Sequence, residues 1–117
     1  MILNVSKSVL KGQVDIPASK SHTIRAVAIA SMASGKSVIH NPLISSDALS
    51  AVSCYRALGA QIDTSDDNKW VIKGVNGKVK MPGETIDVGN SGTTLRLAVG
   101  SASLFDGKGA IHTDVPS

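Results

Sequence analysis

The spacing of apolar side chains in the first forty residues changes from the period of a strand to the period of a helix. Apolar and polar residues alternate over Gly12–Ile16, and Pro17 ends the alternation. Ser19 or Ser21 can then cap a helix, and Gly35 is typical of the position just after a helix end. The predicted helix carries a stripe of apolar and small side chains at i, i+3, i+4, i+7 and i+8: Ile24, Val27, Ala28, Ser31 and Met32.

The middle of the chain predicts one more helix and two strands. Ser45 or Ser46 can cap a helix that runs to about Leu58, where a glycine follows. Two short strands with a polar turn between them come next, Ala60–Asp63 and Lys69–Lys73.

The chain then repeats its own beginning. Residues 14–41 align with residues 86–113 without a gap, at a constant offset of 72, with ten identities in 28 positions. A constant offset over this length indicates an internal duplication, in which one supersecondary unit is used at least twice. The unit is a strand, a small polar loop, a helix, a Gly-Lys turn and a strand.

The second copy predicts its own three elements. A strand covers Thr85–Val88, and a helix follows whose apolar stripe ends near Ala102 and which Gly107 stops. A last strand covers Gly109–Thr113, and the Gly- and Lys-rich residues 75–82 before this copy predict a connection. The predicted order is β-β-α-β-α-β-β-β-α-β, a layered α/β (α+β) fold.

Composition narrows the classes of function. Only 3% of the residues are aromatic, and surfaces that stack nucleic-acid bases need aromatic side chains, so we expect no nucleic-acid partner. No apolar run approaches the roughly 20 residues of a membrane span, so we expect no membrane partner. A single Cys excludes an intrachain disulfide and a Cys-rich zinc site, which favours the cytoplasm.

Charge is uneven along the chain and points to an anionic ligand. Residues 1–40 carry five basic and one acidic side chain, whereas residues 41–117 carry seven basic and eight acidic ones. Free amides and the dipole at a helix start attract anions. Both repeat helices begin in suitable loops, the first with Lys20, Ser21 and Arg25 and the second with residues 90–93. Ordinary helix capping with solvated basic side chains is the alternative for each loop.

Other candidate residues carry weaker signals. Gly35-Lys36-Ser37 fits a permissive phosphate-loop pattern, but it follows a helix and opens a strand, which is the wrong order for nucleotide binding. The remaining candidates have ordinary structural roles as strand-end, packing or turn residues: His40, His112, Cys54, Asp15, Asp87 and Trp70.

The two helix-start loops resemble the signatures of one enzyme family. Pro17-Ala18-Ser19-Lys20-Ser21, with Arg25 four residues later, resembles the first signature of the EPSP synthase (3-phosphoshikimate 1-carboxyvinyltransferase) family. Gly89-Asn90-Ser91-Gly92-Thr93-Thr94-Leu95-Arg96 resembles the second. The likeness covers nearly the whole chain, in order and at the family's spacing.

The resemblance implies an architecture. The family has two domains, each built from three βαβαββ units, with the substrates in the cleft between them. By this likeness residues 1–17 are the first strands of one otherwise missing domain plus a hinge. Residues 18–117 are then an incomplete substrate-binding domain. The predicted last strand leads into a loop, Asp114–Ser117, that no further element closes, so we expect a fragment of a longer protein.

The resemblance also implies a reaction and its residues. The enolpyruvyl group of phosphoenolpyruvate passes to the 5-hydroxyl of shikimate 3-phosphate, in aromatic amino acid biosynthesis, without a metal or cofactor. By residue match, Lys20 touches both substrates and is the catalytic candidate, and Ser21 and Arg25 hold shikimate 3-phosphate. Asn90, Gly92 and Thr93 line the phosphoenolpyruvate side. The family, which includes the target of glyphosate, implies a cytoplasmic, monomeric parent enzyme.

Two residues depart from the family pattern, and two alternative functions also fit the sequence. The family usually has Asn where this chain has Ile24 and Pro where it has Leu97, and Leu97 can change how the second helix starts. One alternative is UDP-N-acetylglucosamine enolpyruvyl transferase, and another is a non-catalytic module that binds phosphate esters. We expect the isolated chain to be inactive, and its exposed surface between the repeats leaves self-association open.

Overall fold

The computed structural model describes residues 1–113, so the predicted loop at residues 114–117 lies outside it. Three helices and five strands follow in the order α1, β1, α2, β2, β3, β4, α3, β5. Their bounds are Lys20–Met32 for α1, Lys36–His40 for β1, Ser46–Ala57 for α2, Gln61–Asp66 for β2, Lys69–Lys73 for β3, Ile86–Asp87 for β4, Gly92–Ala102 for α3 and Ile111–His112 for β5.

The strands form two separate sheets. β1, β3 and β2 make an antiparallel sheet in that order, with Val38 opposite Val71 and Ile62 opposite Ile72. β4 and β5 make a short parallel pair. The alternation of β3 points Trp70 and Ile72 inward, and both are at most 1% exposed. The helices pack against this inner face and against one another, which places the core between the sheet and the helices.

The predicted α/β (α+β) class is confirmed, and the predicted helices α1 and α2 are present. Four of the five predicted stripe residues of α1 are buried, with Met32 partly buried against them. Helix α3 begins at Gly92, which is 72 positions after the start of α1 at Lys20, so the duplicated units keep one register.

The predicted strand at Gly12–Ile16 is wrong. Residues 1–19 contain no strand, and Val14 and Ile16 are 81% and 80% exposed. Alternation gives this segment an apolar face, but a strand is stable only when its backbone pairs with another strand. None of the described strands lies beside it.

The second copy is shorter than its pattern predicts. The helix α3 ends at Ala102, five residues before the predicted stop at Gly107. The amides of Leu104 and Phe105 instead bond back to Ser101 and Ala102 at 3.2 and 2.9 Å, closing a turn. The strands β4 and β5 keep only two residues each of the predicted Thr85–Val88 and Gly109–Thr113. Among residues 1–113, no helix has the length and apolar character needed to cross a membrane.

Candidate functional site

The three helices begin with the same capping arrangement. The N-cap residues are Ser19, Ser45 and Ser91, each in an extended conformation. The Oγ atom of each serine accepts the amide N–H three residues later at 3.2 Å. Its carbonyl oxygen accepts the next amide at 2.9 to 3.0 Å. The sequence predicted Ser19 or Ser21, and Ser45 or Ser46, as caps, and the structure selects the first of each pair.

Each capped start leaves two amides without a partner. Within residues 1–113 nothing accepts a hydrogen bond from the first two amides of each helix: Lys20 and Ser21 in α1, Ser46 and Asp47 in α2, and Gly92 and Thr93 in α3. Four of these six amides belong to predicted ligand residues. Unpaired N–H groups at the positive end of a helix dipole attract anions. The site residues therefore carry the donors that an anion needs.

The first turn of α2 joins the two predicted loops. The Lys20 ammonium lies 3.0 Å from Oδ2 of Asp47, which brings the starts of α1 and α2 together. Three residues further along α2, Ser50 lies against the second loop, because a Cβ on Gly89 would be 3.3 Å from its Oγ. Residues three apart share a helix face. All three helix starts therefore lie at one end of the molecule. We call residues 19–21, 45–47 and 90–93 together the helix-start cluster.

Thr23 fixes the first loop to the chain that leads into α2. Its hydroxyl donates to the Ser19 carbonyl at 2.8 Å and accepts from the Leu43 amide at 3.0 Å. The side chain is 4% exposed, so these bonds are shielded from water. Sequence patterns did not single out Thr23, although a buried threonine one turn into a helix often bonds back to the carbonyl four residues earlier.

The second loop is held by side chains on both of its sides. Asp87 accepts from the Gly89 amide at 2.8 Å, as its predicted turn role requires. Thr113 donates to the Gly89 carbonyl at 2.9 Å. Gly89 has a φ of +59°, which glycine adopts without the strain of a Cβ. These contacts leave Asn90 exposed at the tip of the loop, directly before the cap of α3.

Basic side chains stand around the cluster. Ser21 and Arg25 are four residues apart and so share one face of α1. Gly92 and Arg96 have the same relation on α3, although Arg96 was not among the predicted site residues. Both arginines are exposed, and neither has an ion pair within the described part of the chain. Arginine presents a planar fork that fits phosphate or carboxylate oxygens.

The two departures from the family pattern have structural roles. Ile24 is fully buried in the core and cannot contact a ligand. Leu97 is partly buried and lines an apolar groove with Ile29 and Met32 of α1. α3 begins at Gly92 behind its N-cap Ser91.

The weaker candidates have the structural positions that the sequence predicted. Lys36 opens β1 directly after α1, His40 ends β1 and His112 ends β5. Cys54 is fully buried in α2, and burial raises the pKa of its thiol from 9.0 to about 11. Among the described residues no group of three His, Cys, Asp or Glu side chains could hold a metal ion. Asp15, in contrast, lies exposed in the unpaired segment before α1.

The helix-start cluster is an open surface. A cavity of 360 Å³ lies on the outer face of the sheet, between Lys36 and Lys73. Another of 230 Å³ lies beside the end of α3, between Met81 and Phe105. Neither is lined by a helix-start residue. The cluster therefore has the donors and charges of an anion site without a second wall to enclose the anion.

The chain is similar to one family over most of its length. The sequence model of EPSP synthase (3-phosphoshikimate 1-carboxyvinyltransferase) matches residues 5–113. The 3-phosphoshikimate 1-carboxyvinyltransferase of Acetivibrio thermocellus is 57% identical over 107 residues, which cover 92% of this chain and 25% of that protein. That of Methanococcus aeolicus is 50% identical over 103 residues, which cover 88% of this chain and 24% of that protein.

The folds agree as well. The solved structure of EPSP synthase from Acinetobacter baumannii matches this chain with a TM-score of 0.80 at 28% identity, covering 88% of this chain and 24% of that one. The chain spans about a quarter of the length of the curated relatives it matches.

Proposed function

Because the chain belongs to the EPSP synthase family, we propose that its helix-start cluster forms one wall of an active site for enolpyruvyl transfer. In this reaction the 5-hydroxyl oxygen of shikimate 3-phosphate loses its proton and bonds to C2 of phosphoenolpyruvate, while the C2–O bond to the phosphate breaks and inorganic phosphate leaves with that proton. Both substrates are anions. The observation that carries the proposal is the match between the predicted ligand residues and the unpaired amides of α1 and α3.

Different residues of the helix-start cluster bind the two substrates. The ammonium of Lys20 stands between the starts of α1 and α2, where it can contact both anions and stabilise the charge that develops during transfer. Ser21 and Arg25, on one face of α1, bind shikimate 3-phosphate. Asn90 and the amides of Gly92 and Thr93 bind the phosphoenolpyruvate side at the start of α3.

We propose that the segment comprises two parts, residues 1–17 and residues 18–117. Eight large apolar side chains of the first part are exposed: Met1, Ile2, Leu3, Val5, Val9, Leu10, Val14 and Ile16. Apolar surface on this scale usually marks a contact with another part of a protein. It suits a segment that packs against another part of a longer protein, joined to α1 by a hinge at residues 17–19.

A reducing compartment suits the chain, because Cys54 is a buried thiol and no second cysteine is present to pair with it. We therefore place the activity in the cytoplasm. The roles proposed for the substrate ligands need no second copy of the chain, which suits a monomeric enzyme.

A segment exchange tests the proposed function. The matching quarter of the Acetivibrio thermocellus relative is replaced by this chain, and phosphate release is measured with phosphoenolpyruvate and shikimate 3-phosphate. We expect the hybrid to retain transfer within about tenfold of the intact relative, since the two segments are 57% identical. We expect no product with UDP-N-acetylglucosamine as the acceptor. A folded hybrid that transfers nothing to shikimate 3-phosphate would contradict the proposal.

A further inference from the structure

The ammonium of Lys20 already has an anionic partner in the ligand-free chain. Its Nζ lies 3.0 Å from Oδ2 of Asp47, and this is the one ion pair among residues 1–113. Asp47 is 26% exposed and occupies the first turn of α2, while the Lys20 side chain is 51% exposed. Both residues lie in the first turn of a helix, and the lysine side chain is the more exposed of the two.

The position of Asp47 makes it a competitor for any anion that reaches the cluster. Its carboxylate stands at the junction of two helix starts, where the amides of Lys20 and Ser21 also have no hydrogen-bond partner. The other acidic side chain beside the cluster, Asp87, already accepts the Gly89 amide at 2.8 Å. Asp47 is thus the acidic group that directly opposes an anion at Lys20.

We propose that Asp47 is an internal counter-ion that occupies Lys20 and must release it to an arriving phosphate group. The inference rests on the proposed function for the identity of the natural ligand, but not for the competition itself. Asp47 then sets how tightly the cluster holds an anion. It also favours ligands whose contacts with Arg25 and the helix-start amides are strong enough to displace its carboxylate from Lys20.

A simpler role for Asp47 predicts a different result. An acidic residue in the first turn stabilises a helix through its dipole, whatever lies nearby. Replacing Asp47 would then weaken α2 without a specific effect on anion binding. A binding measurement that is corrected for net charge distinguishes the counter-ion role of Asp47 from its helix-stabilising role.

The test is a titration of the 117-residue chain with inorganic phosphate at constant ionic strength, followed by the amide NMR signals of Lys20 and Ser21. Asp47→Asn should lower the Kd for phosphate about two- to fivefold, because it removes an exposed ion pair of ordinary strength. Asp47→Glu should keep the wild-type Kd. Asp67→Asn is the matched control, since it makes the same change of net charge at an exposed residue in the β2–β3 turn.

The competition must act through Lys20. In a Lys20→Met background, Asp47→Asn should therefore change the Kd no more than Asp67→Asn does. Equal effects of Asp47→Asn and Asp67→Asn in the wild-type background would overturn the proposal. So would a folded Asp47→Asn chain whose Lys20 and Ser21 signals do not respond to phosphate. Neither result bears on turnover by the hybrid, which tests the proposed function separately.

Discussion

Ser19 and Ser91 show how much of the site is decided by single residues. Each lies directly before a repeat helix, and each accepts the third amide at 3.2 Å. By occupying that amide, the serine leaves the first two N–H groups of its helix for a ligand. The amides of Lys20 and Gly92 therefore become equivalent donors, although the side chains of the two residues have nothing in common.

The buried thiol of Cys54 predicts a pH dependence of stability. Its pKa is raised from 9.0 to about 11 by burial, so between these values the unfolded chain loses a proton that the folded chain keeps. Stability is unaffected by this group below pH 9 and falls as the pH rises above it. At pH 10 the loss is about 1.4 kcal/mol.

Urea unfolding of the wild type and Cys54→Ala at pH 8 and pH 10 measures this loss. The variant should lose about 1.4 kcal/mol less than the wild type over this interval. Tyr55, whose pKa burial also raises, is present in both chains, so its burial contributes equally, and only its weaker charge coupling to Cys54 differs between them. Parallel losses in the two chains would show that the thiol ionises as readily in the folded chain.

At the scale of elements, the loop after β3 closes the end of α1. The amides of Val75, Asn76 and Gly77 donate to the carbonyl groups of Ser31, Ala33 and Met32 at 2.8, 3.0 and 3.0 Å. The last carbonyls of a helix otherwise have no partner within it. This loop therefore stabilises α1 from the end opposite to the helix-start cluster.

Gly74 is the residue that lets this loop approach α1. A Cβ at this position would collide with the carbonyl oxygens of Ala33 and Ala30, which belong to the backbone and cannot move aside. Gly74→Ala should therefore lower the free energy of unfolding by about 3 kcal/mol, at the upper end of the cost of overpacking. Gly83→Ala is the control, because a Cβ there meets nothing within 4 Å. Similar urea midpoints for the two variants would contradict this account.

Helices were predictable from the sequence because their determinants are local. A serine cap and a terminal glycine placed α2 within one or two residues of its observed bounds. The strand at Gly12–Ile16 failed because pairing depends on a distant partner. The early end of α3 depends on a turn at Phe105, which the glycine signal at Gly107 did not indicate.

The same contrast between local and distant determinants applies to the candidate site. The cap of each repeat helix and the polar residues after it were readable from the motifs. The ion pair of Lys20 with Asp47 and the approach of Ser50 to Gly89 were not, because each joins elements that are far apart in sequence. The sequence therefore identified the parts of the site, and the fold determines that α2 joins them.

At the scale of the whole molecule, the segment before α1 extends the chain without enlarging the hydrophobic core. The radius of gyration is 17.7 Å, whereas a compact domain of 100 residues has about 13 Å. The helix-start cluster likewise faces outward as a single wall. Both features suit the proposal that the segment before α1 and the cluster contact other parts of a longer protein.

A single open wall should bind its ligands weakly. Each exposed charge contact contributes about 0–1 kcal/mol, so three contacts give at most about 3 kcal/mol, less than the roughly 4.1 kcal/mol of millimolar affinity. We expect the isolated 117-residue chain to bind shikimate 3-phosphate with a Kd above about 1 mM and to show no turnover. Calorimetry and a phosphate-release assay measure both. Micromolar binding by a monomer would instead favour an autonomous phosphate-ester-binding module.

The central claim, that the helix-start cluster stabilises the transferring substrates through Lys20, is tested most directly by kcat/KM of the hybrid enzyme carrying Lys20→Ala. We predict a loss of at least about 100-fold, or about 2.7 kcal/mol of transition-state stabilisation. Folding should be unchanged, because a half-exposed lysine at a helix start contributes little to the core. Lys36→Ala, which removes an exposed lysine at the opposite end of α1, should leave kcat/KM within about twofold. A Lys20→Ala hybrid with near wild-type kcat/KM, or equal losses from the two substitutions, would contradict the account.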